Sequence, residues 1–143
     1  MSGRILELVA RIHLDWKRQV ARALAPHGIS PKQIFLLRRL KEAGGLAPSA
    51  IADLLHADRP SVTSLLDTLQ RAGWIRRGRD PENGKRVIVS LTPEGADKLA
   101  SVPEVLWRSG RTAFDPEACL EPSEQKELLR LLDKLQRALA ARA

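Results

Sequence analysis

The 143-residue chain predicts a mainly α fold with a small β-hairpin wing, and three observations carry that prediction. Ser49–Leu55 and Arg59–Ala72 read as two short helices joined by the tight connection His56–Asp58. Behind them, Trp74–Arg79 and Arg86–Leu91 flank the polar turn Asp80-Pro81-Glu82-Asn83-Gly84-Lys85, which makes a basic hairpin. Amphipathic stretches bracket this block on both sides. Two crossing helices followed by an arginine-rich ribbon are the parts of a winged helix-turn-helix, whose second helix enters a DNA major groove.

In chain order, the first element is Ile5–Leu24. There Ile5, Leu8, Val9, Ile12, Trp16, Val20 and Leu24 recur at three- and four-residue steps and form one helical stripe. Such a stripe ahead of the core has to be buried, and a partner subunit is the natural cover. Pro26-His27-Gly28 ends this helix. Ser30 caps the next and Pro31 opens it, with Ile34, Phe35, Leu37 and Leu40 as the expected buried side and Gly44-Gly45 as the stop. Ser49 is the expected cap of the short third helix, which turns Ile51, Leu54 and Leu55 inward. Asp58 caps the fourth, where Val62, Leu65, Leu66 and Leu69 follow an i, i+3, i+4, i+7 pattern.

Val87, Val89 and Leu91 alternate with Arg86, Ile88 and Ser90 as a strand. Asn83-Gly84 offers the positive backbone angles of a tight turn. Thr92-Pro93-Glu94 restarts helix with a cap, a first-turn proline and an early acid. Pro103 should break that helix, with Ser101 and Glu104 spaced to cap a restart, and Phe114-Asp115-Pro116 marks another interruption. The last helix, Ser123–Ala141, sets Leu128, Leu131, Leu132, Leu135 and Leu139 on one side.

Composition narrows the function. The formal charge is +7, which suits a polyanionic partner. Residues 70–90 hold six basic side chains against Asp80 and Glu82. There is no apolar run of membrane-spanning length and no signal peptide, since Arg4 and Glu7 interrupt the first apolar residues. The single cysteine, Cys119, fits a reducing cytoplasm and reads as a small buried hydrophobe. His13, His27 and His56 have no metal-ligand spacing, no phosphate loop or nucleophile elbow appears, and neither a cofactor nor an enzymatic activity is expected.

The chain resembles the MarR family of bacterial transcriptional regulators. The resemblance rests on Gly28-Ile29-Ser30-Pro31-Lys32-Gln33, on Pro60-Ser61-Val62-Thr63 with Asp67 and Leu69, and on Gly73-Trp74-Ile75-Arg76-Arg77. It is strongest in Asp80-Pro81-Glu82-Asn83-Gly84-Lys85-Arg86 and the following Leu91-Thr92-Pro93-Glu94-Gly95. It implies a single domain over 1–143, with dimerisation helices at 1–25 and 121–143, a winged lobe at 30–92 and a connecting helical segment at 93–120. It further implies a cytoplasmic homodimer on an inverted-repeat operator, its recognition helices roughly 34–36 Å apart, acting as a repressor released by a small ligand such as an aromatic anion. The family's wing usually carries an aspartate and a minor-groove arginine; Asn83 and Lys85 stand in those places here, and Arg86 is the nearest substitute.

The candidate DNA contacts are therefore Lys32 and Gln33 on the second helix, Arg59, Ser61, Thr63, Ser64 and Thr68 on the recognition helix, and Arg76, Arg77, Arg79, Lys85 and Arg86 on the wing. His13 and Trp16 are the candidates for an effector cavity; the other and favoured reading is dimer packing for Trp16 and a surface or satisfied histidine for His13, and Trp107 carries the same ambiguity. Two alternatives stay open: a winged helix used for protein contact, and a DNA-coating protein indifferent to sequence.

Overall fold

The computed structural model describes residues 3–106 and 116–142; Trp107 and the Phe114-Asp115 part of the expected interruption lie outside them. The elements are α1 (Arg4–Leu24), α2 (Pro31–Ala43), α3 (Pro48–Leu55), α4 (Arg59–Arg71), β1 (Ile75–Arg79), β2 (Val87–Leu91), α5 (Pro93–Ser101) and α6 (Pro122–Ala140). Short 3₁₀ turns occupy Ala25–His27, Glu104–Leu106 and Pro116–Cys119. Two compact units result, Met1–Thr112 and Ala113–Ala143.

In the first unit the core draws on almost every element. Val20 and Leu24 from α1, Leu36, Leu37 and Leu40 from α2, Ile51 from α3, and Leu66 and Leu69 from α4 are buried together with Ile75, Val89 and Leu99. Each fully buried side chain of this size contributes about 1.5–3 kcal/mol. Phe35 does not belong to this set: it is 39% exposed, and Leu36 is buried in its stead. The reason is that α2 packs against α1, α5 and β2 at once, so its apolar surface is wider than a single stripe.

The hairpin pairs antiparallel, Ile75 with Leu91, Arg77 with Val89 and Arg79 with Val87. Its other edge is held by Leu46, whose N–H and C=O both bond Val89, at 2.9 and 2.8 Å. This bridge seats the wing on the α2–α3 connection. Thr92 caps α5 through Gly95 N–H (3.0 Å) and donates its hydroxyl to Gly73 O (2.6 Å), which ties α5 to the end of α4. Lys98 adds a second strap: its ammonium donates to His27 O and lies 5.3 Å from the Trp74 ring centre.

Several local expectations are corrected. Ala47, not Ser49, is the N-cap residue of α3, because Pro48 already supplies the first helical position. Neither Asn83 nor Gly84 has a positive φ. The wing tip is a longer loop in which Asp80 Oδ1 accepts from Glu82 N–H (2.9 Å) and Asn83 Oδ1 from Lys85 N–H (3.3 Å). With side chains taking those N–H groups, the chain reverses without left-handed residues. The α5 helix does end before Pro103, but Ser101 caps nothing; its hydroxyl donates back to Lys98 O at 2.7 Å.

In the first unit, α1 buries only its C-terminal end, leaving Ile5 62%, Leu8 55% and Ile12 58% exposed. The second unit is α6 with the turn before it. Its Leu128, Leu131 and Leu139 are exposed, and so is Cys119, which is therefore not a core residue: it sits in a short 3₁₀ turn on the surface.

Candidate nucleic-acid interface and a second cleft

The outward surface of α4 follows from how that helix is anchored. The α3–α4 connection turns through His56, a non-glycine residue at φ 48°, and Asp58 then accepts Ser61 N–H at 2.7 Å. Hydrogen bonds from the Ser61 backbone and side chain hold the Asp58 carboxyl below the usual aspartate value. With Val62, Leu66 and Leu69 buried, the helix has one outward side. On it Arg59, Thr63, Ser64, Asp67, Thr68 and Arg71 line a shallow groove. Ser61 is exposed in the first turn. Thr68 donates its hydroxyl to Ser64 O at 3.0 Å, so it offers lone pairs and a methyl group to a partner.

Sequence reasoning missed Arg71, although its spacing of four from Asp67 and three from Thr68 places it on the same helical side. The wing's cations divide into two groups. Arg76, Lys85 and Arg86 are exposed, and their side chains make no hydrogen bond or ion pair among the described residues. Arg79 donates from Nη1 to Gly84 O at 2.7 Å and so clips the wing loop. Arg77 turns toward α4, where Nη2 meets Asp67 Oδ1 and Nε meets Gln70 Oε1, each at 2.6 Å. That ion pair is partly exposed, 30% for Arg77 and 46% for Asp67, and adds at most about 1 kcal/mol to the fold.

Lys32 and Gln33 take different places from the α4 groove. Gln33 is engaged in the capping box of α2, its Oε1 accepting from Ser30 N–H at 3.0 Å. Lys32 is exposed at the mouth of a second cleft, of about 290 Å³, between α1, α2 and α3. His13 and Trp16 are brought together there, their ring centres 6.3 Å apart, with Val20, Ile34, Phe35, Leu54 and Leu55 among the apolar lining. Lys17, Lys32 and Arg38 supply cationic groups to the same lining, and Arg38 also pairs with Glu42 at 3.1 Å. The partial exposure of Phe35 is explained by this cleft. Among the described residues no cluster of three or more His, Cys, Asp or Glu could hold a metal ion, and no helix is long and apolar enough to cross a membrane.

Comparison with known proteins agrees with this layout. Residues 29–87 match the MarR family. The chain is 30% identical over 138 residues to a Thauera aromatica protein named as a transcriptional regulator for the hcr operon, covering 96% of this chain and 81% of that one. It is 26% identical over 133 residues to the regulator PecS of Dickeya dadantii, covering 91% and 80% of the two chains. In three dimensions it resembles a mutant MarR from E. coli crystallised with operator DNA, with a TM-score of 0.78 at 24% identity over 93% of this chain and 94% of that one. With a two-stranded wing, a capped α4 and a relative that matches 96% of this chain, the protein belongs to the MarR family of winged-helix transcriptional regulators.

Proposed function

We propose that the protein binds an inverted-repeat operator as a homodimer and represses transcription until a small ligand releases it. The observation that carries this reading is the outward side of α4, polar and cationic from Arg59 to Arg71, flanked on the wing by Arg76, Lys85 and Arg86, which have no side-chain partner among the described residues. Small hydroxyl side chains let the helix approach base edges, while the cations contact phosphates and set affinity. Lysine at position 85 keeps the charge of the family's wing arginine but lacks its planar fork, and Asn83 is engaged with the loop backbone. Specificity accordingly rests on α4 and on groove shape more than on wing insertion.

The exposed apolar residues of α1 and of α6 support self-association, since each helix carries a run of leucine or isoleucine too large for a solvated face. The cleft of His13 and Trp16 supports the ligand. An apolar lining with lysines at its edge fits a small aromatic carboxylate, and occupancy there would set the angle between α1 and the winged lobe. Two recognition helices linked through α1 then lose register with successive grooves.

Fluorescence anisotropy on the DNA upstream of the gene, against a scrambled duplex over a salt series, tests the reading. Tighter binding to the native duplex with a steep salt slope supports a specific regulator, and equal binding to both supports a DNA-coating protein. No binding at low salt would leave a protein-contact module. Benzoate added to the bound complex should lower the anisotropy, and Lys32→Glu should blunt that response; identical responses would remove the cleft from the mechanism.

A further inference from the structure

The DNA-binding reading leaves one charge unexplained, and the inference drawn from it depends on that reading. Asp67 stands among Thr63, Ser64, Thr68 and Arg71 on the outward groove of α4, where a carboxylate would oppose a polyphosphate. Arg77 reaches it from the wing with Nη2 at 2.6 Å from Oδ1, while its Nε holds Gln70 Oε1 at 2.6 Å. Both donors lie on one edge of the guanidinium plane, so the group is fixed by two residues of α4 and points to the helix. At 30% exposure its side chain is more enclosed than those of Arg76, Lys85 and Arg86, which are exposed and have no partner among the described residues.

We infer that Arg77 serves DNA binding as the neutralising and positioning partner of Asp67, not as a phosphate ligand. It cancels the one carboxylate lining the α4 groove, and through Gln70 it locks the base of the wing to that helix. Recognition helix and wing are thereby presented to DNA as one rigid unit. The residue choice matters because lysine, with a single nitrogen, cannot hold both partners in one plane.

The test uses the full chain and a fluorescein-labelled duplex from its own upstream DNA. Arg77→Ala should weaken binding about tenfold, the scale of one uncompensated charge a few ångströms from a phosphate in partly screened solvent. Asp67→Asn alone should bind at least as tightly as the parent. The double variant Asp67→Asn/Arg77→Ala should return to within about threefold of the parent, with the parental salt slope. A double variant as weak as Arg77→Ala, with a slope shallower by about 0.9 per half-site, would make Arg77 a phosphate ligand and overturn the inference. Should Arg77→Ala fail to fold by circular dichroism, Asp67→Asn decides: binding weaker than the parent refutes a neutralising role. A parent that binds no duplex takes down the DNA reading itself, whereas a binding parent without rescue takes down only the role of Arg77.

Discussion

Replacing Gly95 by alanine should destabilise the fold by about 2 kcal/mol, although it puts a better helix former into the first turn of α5. A Cβ at Gly95 would lie 2.0 Å from the carbonyl oxygen of Trp74 and 2.8 Å from Leu91 Cδ1. Backbone cannot yield as a side chain can, and this carbonyl already accepts Thr92 N–H at 3.1 Å, next to the end of the hairpin. Relieving the overlap means moving α5 off the sheet. Overpacking of that kind costs about 1–3 kcal/mol, and weakening the Thr92 bond adds about 1 kcal/mol. Alanine's helix preference returns up to about 1 kcal/mol. Urea unfolding followed by circular dichroism, at one fixed protomer concentration so that any self-association contributes equally, should show a midpoint lower by about 1 M. Gly78→Ala is the control, since nothing lies within 4 Å of its Cβ position; its midpoint should stay unchanged or rise. An unchanged or raised midpoint for Gly95→Ala would refute the close approach of α5 to the hairpin.

Other outcomes follow from the same geometry. Ile12→Asp, at a position 58% exposed on α1, should convert a dimer to monomer in sedimentation, since a buried isoleucine contributes about 1.5–3 kcal/mol in each copy; an undisturbed dimer would place the interface elsewhere. Asp58→Asn should flatten the acid limb of the stability curve. The folded-state carboxyl of Asp58 is lowered, so its contribution is full above the unfolded value and fades as pH falls below about 4; equal slopes for parent and variant in that window would remove Asp58 from acid sensitivity. Arg86→Ala should reduce the log–log salt slope of DNA binding by about 0.9 per wing, and an unaltered slope would mean that Arg86 does not reach a phosphate.

What the sequence made legible is what depends on near neighbours. The helix of the α1 stripe, the Asp58 and Thr92 caps and the strand Val87–Leu91 are short-range patterns, and the structure has each of them, although within the strand Val89 is buried while Val87, beside the wing loop, is 42% exposed. The misreadings arise where a second element competes for the same group. Phe35 fits the period of a buried α2 side, yet three neighbours divide that helix and leave the phenyl ring at a cleft edge. Asn83-Gly84 has the composition of a two-residue turn, but the Asp80 and Asn83 side chains offer the backbone another way to reverse. Leu46 lies in a short glycine-led connection and becomes a sheet partner only when β2 passes beside it. Arg77 illustrates the limit most sharply. In sequence it is one of a row of wing cations with Arg76 and Arg79, and alternation puts it on the face opposite Arg76. Only the crossing of α4 and β1 brings a carboxylate ten residues away within 2.6 Å of its guanidinium. A long side chain with five donors takes whichever acceptors the fold brings near. Charge counts along a hairpin therefore locate a cationic surface, while the division between cations left exposed and those that hold the surface together is decided by tertiary contacts.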